Sequence, residues 1–379
     1  MLRFLAIVLF AVATAFATAL PSGAAEPTDP AVVVAARAKV GDGDTLGAIR
    51  DLQAYVPTHV DDVAAARLLG DLYYRTTDMK RAEKTWKTIL ARFASDRETH
   101  NRLGSLYSAQ DRIEDAIAEF EKSLPIHSGY YGLVAEHRRL GDLTAFENDW
   151  REKADQNRFN AGAQAFYGNI LRAERRFAEA QPYFNRVVLV AGASCPVLVD
   201  AGNNYIDTAH LSEALDLLER CLKTTPTDYD ALVDAGEAYL EKNDKKRARD
   251  YFERANAARE TGSEALVDLG YMEDEIGHWR EAIAYYTRAI SVDPLQAAAY
   301  IDLGYDYNEH QQFQLAEASL IKGLSVSPED GRLHYLLAVT YNVQGKVGLA
   351  RTQYLFAVSS QEPIVVRAAK AELALLPPA

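Results

Sequence analysis

A 34-residue period constrains this chain more than any other feature. Gly202, Gly236, Gly270 and Gly304 recur at that spacing, each with an aspartate two residues earlier: Asp200, Asp234, Asp268 and Asp302. Twelve residues after each glycine stands an alanine (Ala214, Ala248, Ala282, Ala316), and sixteen after it a bulky apolar residue (Leu218, Phe252, Tyr286, Leu320). A small residue follows at Cys221, Ala255, Ala289 and Gly323, and Pro226, Pro294 and Pro328 close three of the four units. A fixed period of this length marks a stacked-repeat fold, in which each unit buries its apolar face only against its neighbours.

The pattern inside a unit is helical. In the first half, the glycine and the apolar residues around it share one face at a spacing of 3.6. In the second half, the alanine, the bulky residue four later and the small residue three beyond do the same. Glycine and alanine let two antiparallel helices approach closely, the bulky side chain fills the gap beside them, and the small residue accepts the next unit. Asn243-Asp244 and Gly277-His278 suit the short turn between the halves.

The frame extends in both directions. Ala36, Gly43-Asp44, Ala48 and Leu52 fit a first unit, followed by units around Gly70 and Gly104. Pro125 then comes early, and residues 127–160 keep the frame only at Leu133, Gly141-Asp142 and Trp150. Phe146 stands where a small alanine belongs, which predicts a pair pushed apart and a kink near 125–160. Gly168, Ala180 and Phe184 resume the pattern, and Ala338, Tyr341, Gly345-Lys346, Ala350 and Tyr354 make a last full unit. Residues 364–376 are expected to form one solvating helix that caps the stack.

Gly-x-x-Tyr, Ala-x-x-x-Phe/Tyr and Pro at this spacing resemble the tetratricopeptide-repeat family, over about residues 29–360 and nine or ten units. The resemblance implies an all-α fold, a right-handed α-solenoid superhelix whose concave wall is lined by the first helix of every unit. It also implies a binding scaffold, without naming a ligand.

Charge is unevenly spread along the 379 residues. Residues 1–190 carry 24 Lys and Arg against 25 Asp and Glu, whereas residues 191–379 carry 17 against 29. No basic helix or stripe appears, so a nucleic-acid partner is not expected. Arg3, the apolar run from Phe4 to Leu20 and the small residues Gly23 and Ala25 ahead of Glu26 describe a secretory signal peptide over residues 1–25. The alternative is a retained membrane anchor. The reading predicts export to the periplasm or beyond, with residues 26–379 as the repeat domain and no span after cleavage.

The aspartate two before each glycine and the residue five after it share a stripe on the first helix, directed away from the intra-pair packing face. Its occupants are Asp200 and Asp207, Asp234 and Glu241, Asp268 and Glu275, Asp302 and Glu309. Glu237, Tyr271 and Tyr305 flank it, and Asp274 and Asn308 extend its polar edge. One reading is a ladder on the concave wall that binds a cationic polysaccharide or a basic peptide, with the tyrosines offering faces for sugars or cation–π contact. The other is a solvated face. Carboxylates about 10 Å apart in water repel by only about 0.4 kcal/mol a pair, so they can persist without a ligand. Evenly spaced single carboxylates do not make a compact metal cage, and no metal or other cofactor is expected.

Cys195 opens the first helix of its unit and Cys221 closes the second, two ends that antiparallel helices bring together. In an exported protein a disulfide between them is expected, the alternative being that Cys221 only packs as Ala255 and Ala289 do. The histidines are scattered, and neither nucleophile–base motifs nor phosphate loops appear, so no enzymatic activity is expected.

Overall fold

The computed structural model describes residues 31–377 apart from 42, 191, 260, 261 and 361, and the segment read as a signal peptide lies outside the described residues. Among the described residues there are α-helices, one 3₁₀ turn at Val56–Thr58 and no strand. None of these helices is long and apolar enough to cross a membrane. Two compact units can be distinguished: residues 49–260, and residues 34–48 together with 261–379.

The N-terminal helices are α1 (Ala31–Gly41) and α2 (Thr45–Tyr55). The unit of residues 49–260 continues with the pairs α3 (Val63–Arg75) and α4 (Met79–Leu90), α5 (Arg97–Ala109) and α6 (Ile113–Ser123), and α7 (His127–Leu140) and α8 (Leu143–Gln156). It ends with α9 (Ala161–Ala173) and α10 (Phe177–Val188), α11 (Cys195–Asp207) and α12 (Leu211–Thr224), and α13 (Tyr229–Glu241) and α14 (Lys245–Ala258). The other unit holds α15 (Ser263–Asp274) and α16 (Trp279–Val292), α17 (Ala297–Glu309) and α18 (Phe313–Val326), and α19 (Gly331–Val343) and α20 (Val347–Val358), followed by the single helix α21 (Pro363–Leu375). Within each unit the second helix of a pair packs on the first helix of the next, and successive first helices also touch, as α11 does α13 and α17 does α19.

Local chemistry starts these helices. Asp62, Asp96, Asn160, Asp228 and Asp330 stand at N-caps, where a side-chain oxygen accepts an otherwise unpaired amide of the first turn. The glycines then set the spacing inside each pair. A Cβ on Gly236 would lie 2.5 Å from Phe252 Cε1, and one on Gly270 2.5 Å from Tyr286 Cε1. Gly70 is opposed in the same way by Trp86, Gly104 by Phe120 and Gly168 by Phe184. The bulky residue sixteen positions on therefore lies in the notch its glycine leaves, and Trp86, Phe120, Phe184, Phe252 and Tyr286 are all buried.

Every intra-pair turn closes by one device. The residue seven after the repeat glycine takes a left-handed conformation, and the next amide reaches back across the helix end. Asp78, Arg112, His210, Asp244 and Lys346 donate their amides to the carbonyls of Tyr73, Tyr107, Tyr205, Tyr239 and Tyr341, at 2.7–2.9 Å. This is the Schellman closure of a helix C-terminus. Glycine occupies the left-handed position at Gly141, Gly277 and Gly345, but Thr77, Arg175, Ala209, Asn243 and Gln311 occupy it too, with φ near 60°. A side chain there costs about 1 kcal/mol, so the tertiary pairing holds these turns against local preference.

The irregular segment differs in its packing. Leu124–Pro125 is a cis peptide. Phe146 stacks on His137 with ring centroids 3.9 Å apart, and Trp150 stacks on Phe166 of the following unit at 3.5 Å. The two helices α7 and α8 pack on one another less extensively than those of the regular pairs, and α9 packs against both. An aromatic cluster thus stands where small residues bring regular pairs together.

Candidate interaction surface

The acidic stripe falls into two sets, one in each compact unit. In residues 49–260 its members lie on α11 and α13. Asp200 is buried, at 3 % exposure. Asp207 accepts two hydrogen bonds from the Arg172 guanidinium of α9, at 2.6 and 3.0 Å. Burial pushes the Asp234 carboxyl well above the ordinary range, with Glu237 and Asp230 adding to the shift and Arg172 and an Asn203 hydrogen bond opposing it. Burial and then Asp207 raise Glu241.

In the other unit the acids lie on α15 and α17. Asp268 is buried, again at 3 % exposure. Asp302 is pushed up to about 7, chiefly by burial, while Arg332 opposes and Asp274 reinforces the shift. Tyr271 is raised to about 12 by burial and then by Glu275, to which it is hydrogen-bonded. Tyr305 is half-buried, Glu275 and Glu309 are exposed, and Asn308 exchanges hydrogen bonds with Thr340 of α19 at 2.9 and 3.0 Å.

A stripe of wholly solvated acids is therefore not what the fold contains. The position two before each glycine lies at the seam between neighbouring repeats. Asp234 meets Asn203 across this seam, and Asp302 meets the field of Arg332. Asp200 and Asp268 are thereby removed from any surface that a ligand could reach directly. The position five after the glycine lies at the helix end, where Glu275 and Glu309 remain open to solvent.

Two contributors escape a reading confined to the repeat signature. Asp306, one turn after Asp302 on the same face, is 1 % exposed and hydrogen-bonded to Asp274. Burial, with Asp274 and Asp302 beside it, pushes its carboxyl to about 8. The i,i+4 spacing of Asp302 and Asp306 was the available signal. The other is Arg172, which neutralises Asp207 from a helix outside the four strict units.

Farther toward the N-terminus the same seams carry balanced charge. Arg102 bonds Asp71 at 2.7 Å, and Arg67 bonds Asp96 and Glu98 at 2.8 and 3.0 Å. The excess of acid is thus a property of the later repeats. Cys195 and Cys221 are joined as a disulfide with their Cα atoms 4.6 Å apart. Their sulfurs and the Asp228 carboxylate form a cluster of three candidate metal-ligand groups within 4.8 Å of one another.

Profiles described as "Tetratricopeptide repeat" match residues 98–125, 205–266, 267–307 and 301–359. No curated protein matches the chain at significance. Among solved structures, the APC/C hetero-tetramer Cut9-Hcn1 is similar at 16% identity, over 90% of this chain and 83% of that one, with a TM-score of 0.50. MamA is similar at 24% identity over 49% of this chain and 100% of its own, with a TM-score of 0.37. The human IFIT1 dimer with PPP-AAAA is similar at 20% identity over 86% and 90%, with a TM-score of 0.43. The first of these likenesses extends to most of the chain the fold class seen in each unit, an all-α helical-repeat solenoid.

Proposed function

The chain is a tetratricopeptide-repeat protein, and from that premise we propose that it is a non-enzymatic scaffold of the cell envelope that grips a cationic partner, a basic peptide or an amine-bearing polymer. Repeats of this family are in general protein-interaction scaffolds, and the finer reading rests on charge. One observation carries it: Asp274, Asp302 and Asp306 crowd together on α15 and α17, where burial and the charge of Asp274 push Asp302 up to about 7 against the pull of Arg332, and burial, Asp274 and Asp302 push Asp306 up to about 8. Such a cluster favours added positive charge. An incoming ammonium or guanidinium can meet the part-exposed Asp274 and Asp302 and the exposed Glu275 and Glu309, with the rings of Tyr271 and Tyr305 on the same two helices, while the buried Asp306 acts on it only through its field.

The expected result is that a lysine-rich peptide binds, a glutamate-rich peptide of equal length does not, and affinity falls steeply with salt. Glu275→Gln with Glu309→Gln weakens binding by about five- to thirtyfold, since each exposed ion pair is worth about 0.5–1 kcal/mol. Fluorescence anisotropy measures this. Equal binding of both peptides, or no loss in the double variant, sinks the reading. The exposed Leu349, Leu355 and Leu375 on α20 and α21 favour a second reading, an adaptor that organises an envelope complex through apolar contacts. Salt-insensitive partner binding that is lost on Leu355→Ser would select it.

Export is part of the proposal and is supported by the sequence of residues 1–25. The protein recovered from its producing cell is expected to begin at Glu26. An intact N-terminus, read by Edman sequencing or intact mass, would overturn cleavage.

A further inference from the structure

We infer that the two cysteines, once reduced, form with Asp228 a binding site for a thiophilic divalent cation of the zinc class. The three groups come from three different elements: Cys195 opens α11, Cys221 lies in the last turn of α12, and Asp228 is the N-cap of α13. A Cys, Cys, carboxylate set is a donor combination zinc accepts, and three protein ligands leave a fourth position for water. Asp228 caps α13 through Oδ1, which accepts the Ala231 amide at 3.0 Å, so Oδ2 can ligate while the cap persists. Cys221 is buried whereas Cys195 and Asp228 are partly open, which gives an ion a way in from the α11 and α13 side.

The surroundings are consistent with this use. At the position of Cys221 the neighbouring strict units have Ala255, Ala289 and Gly323, so packing there asks only for a small residue. Arg259 lies against the Tyr229 ring, 4.1 Å from its centroid, and its charge works against an ion beside Asp228.

The chemistry balances in two steps. A dithiol reductant gives two electrons and two protons to the disulfide, breaking the S–S bond and becoming a cyclic disulfide itself. The two thiols then lose their protons to solvent as two S–Zn bonds form. Oxidised, the protein has a covalent link between the ends of α11 and α12; reduced and metallated, it has a coordinate link that also includes α13. The site would thus exchange one closure for another, according to redox state and metal supply.

The experiment uses the full chain, reduced with a phosphine that is then removed, and titrated with zinc alone against a chromophoric chelator. One zinc per reduced chain is expected, with none taken up by the oxidised chain. Cobalt in place of zinc should give the near-ultraviolet thiolate charge-transfer band and the intense visible bands of a tetrahedral site. Asp228→Asn keeps a good N-cap and should weaken zinc binding at least about tenfold. Cys221→Ala, which matches its siblings, should abolish it. No uptake by the reduced chain, equal uptake by the oxidised chain, or uptake undiminished in both variants overturns the inference.

Discussion

Truncating Phe252 to alanine is expected to lower the stability of the 49–260 unit by about 3–5 kcal/mol, measured as a shift in urea unfolding followed by circular dichroism. Phe252 is fully buried and its ring occupies the notch that Gly236 leaves on α13. The companion test is Gly236→Ala. In the wild-type background the new Cβ meets Phe252 and costs about 1–3 kcal/mol, more than the roughly 1 kcal/mol that alanine gains over glycine in a helix. In the Phe252→Ala background the obstacle is gone, and the same substitution should become neutral or stabilising. A sign that does not change between backgrounds would mean that the glycine serves something other than this ring.

Replacing Asp306 by asparagine is expected to make the protein more stable than wild type at pH 8, by about 1–2 kcal/mol, and to reduce its dependence on pH. The sign follows from proton binding. An unfolded aspartate titrates near about 3.9, while folded Asp302 and Asp306 titrate at about 7 and about 8. Between those values the folded chain keeps protons that the unfolded chain has released. Their contribution is complete below about pH 4 and is lost as pH rises through 7 and 8. The groups that share the seam are Asp274 and Tyr271 of α15, Tyr286 of α16, Glu309 of α17 and Arg332 of α19, and none is altered by the substitution. Chemical denaturation at pH 5 and pH 8 for both proteins decides it. Should asparagine prove less stable than aspartate at pH 8, the native carboxyl must be charged and paired.

These two results depend on features of unequal visibility in the sequence. Gly236 and Phe252 sit in one hairpin, sixteen residues apart, and a period repeated four times exposes their relation without coordinates. Burial of Asp200 and Asp268 could not be read in the same way. A helical wheel places them opposite their own partner helix, and their burial depends on how repeats 34 residues apart stack. Arg172 was hidden for a related reason: its pairing with Asp207 spans a seam between a strict and a looser unit. Phe146 was legible as a disturbance, yet its stacking on His137 and the contact of Trp150 with Phe166 depend on rotamers that no spacing rule specifies.

The left-handed closure of the intra-pair turns has a consequence for where this architecture can change. A bend sealed by its own main chain tolerates many side chains at its left-handed position despite their cost, as Thr77, Ala209 and Gln311 illustrate. Each hairpin is accordingly a sealed module, and residues can be added more readily in the joints between modules, such as 157–160 and 225–228, than inside one. Growth, loss or retuning of this chain over evolutionary time should therefore proceed by whole hairpins and by their joints, with the bends themselves unchanged in length.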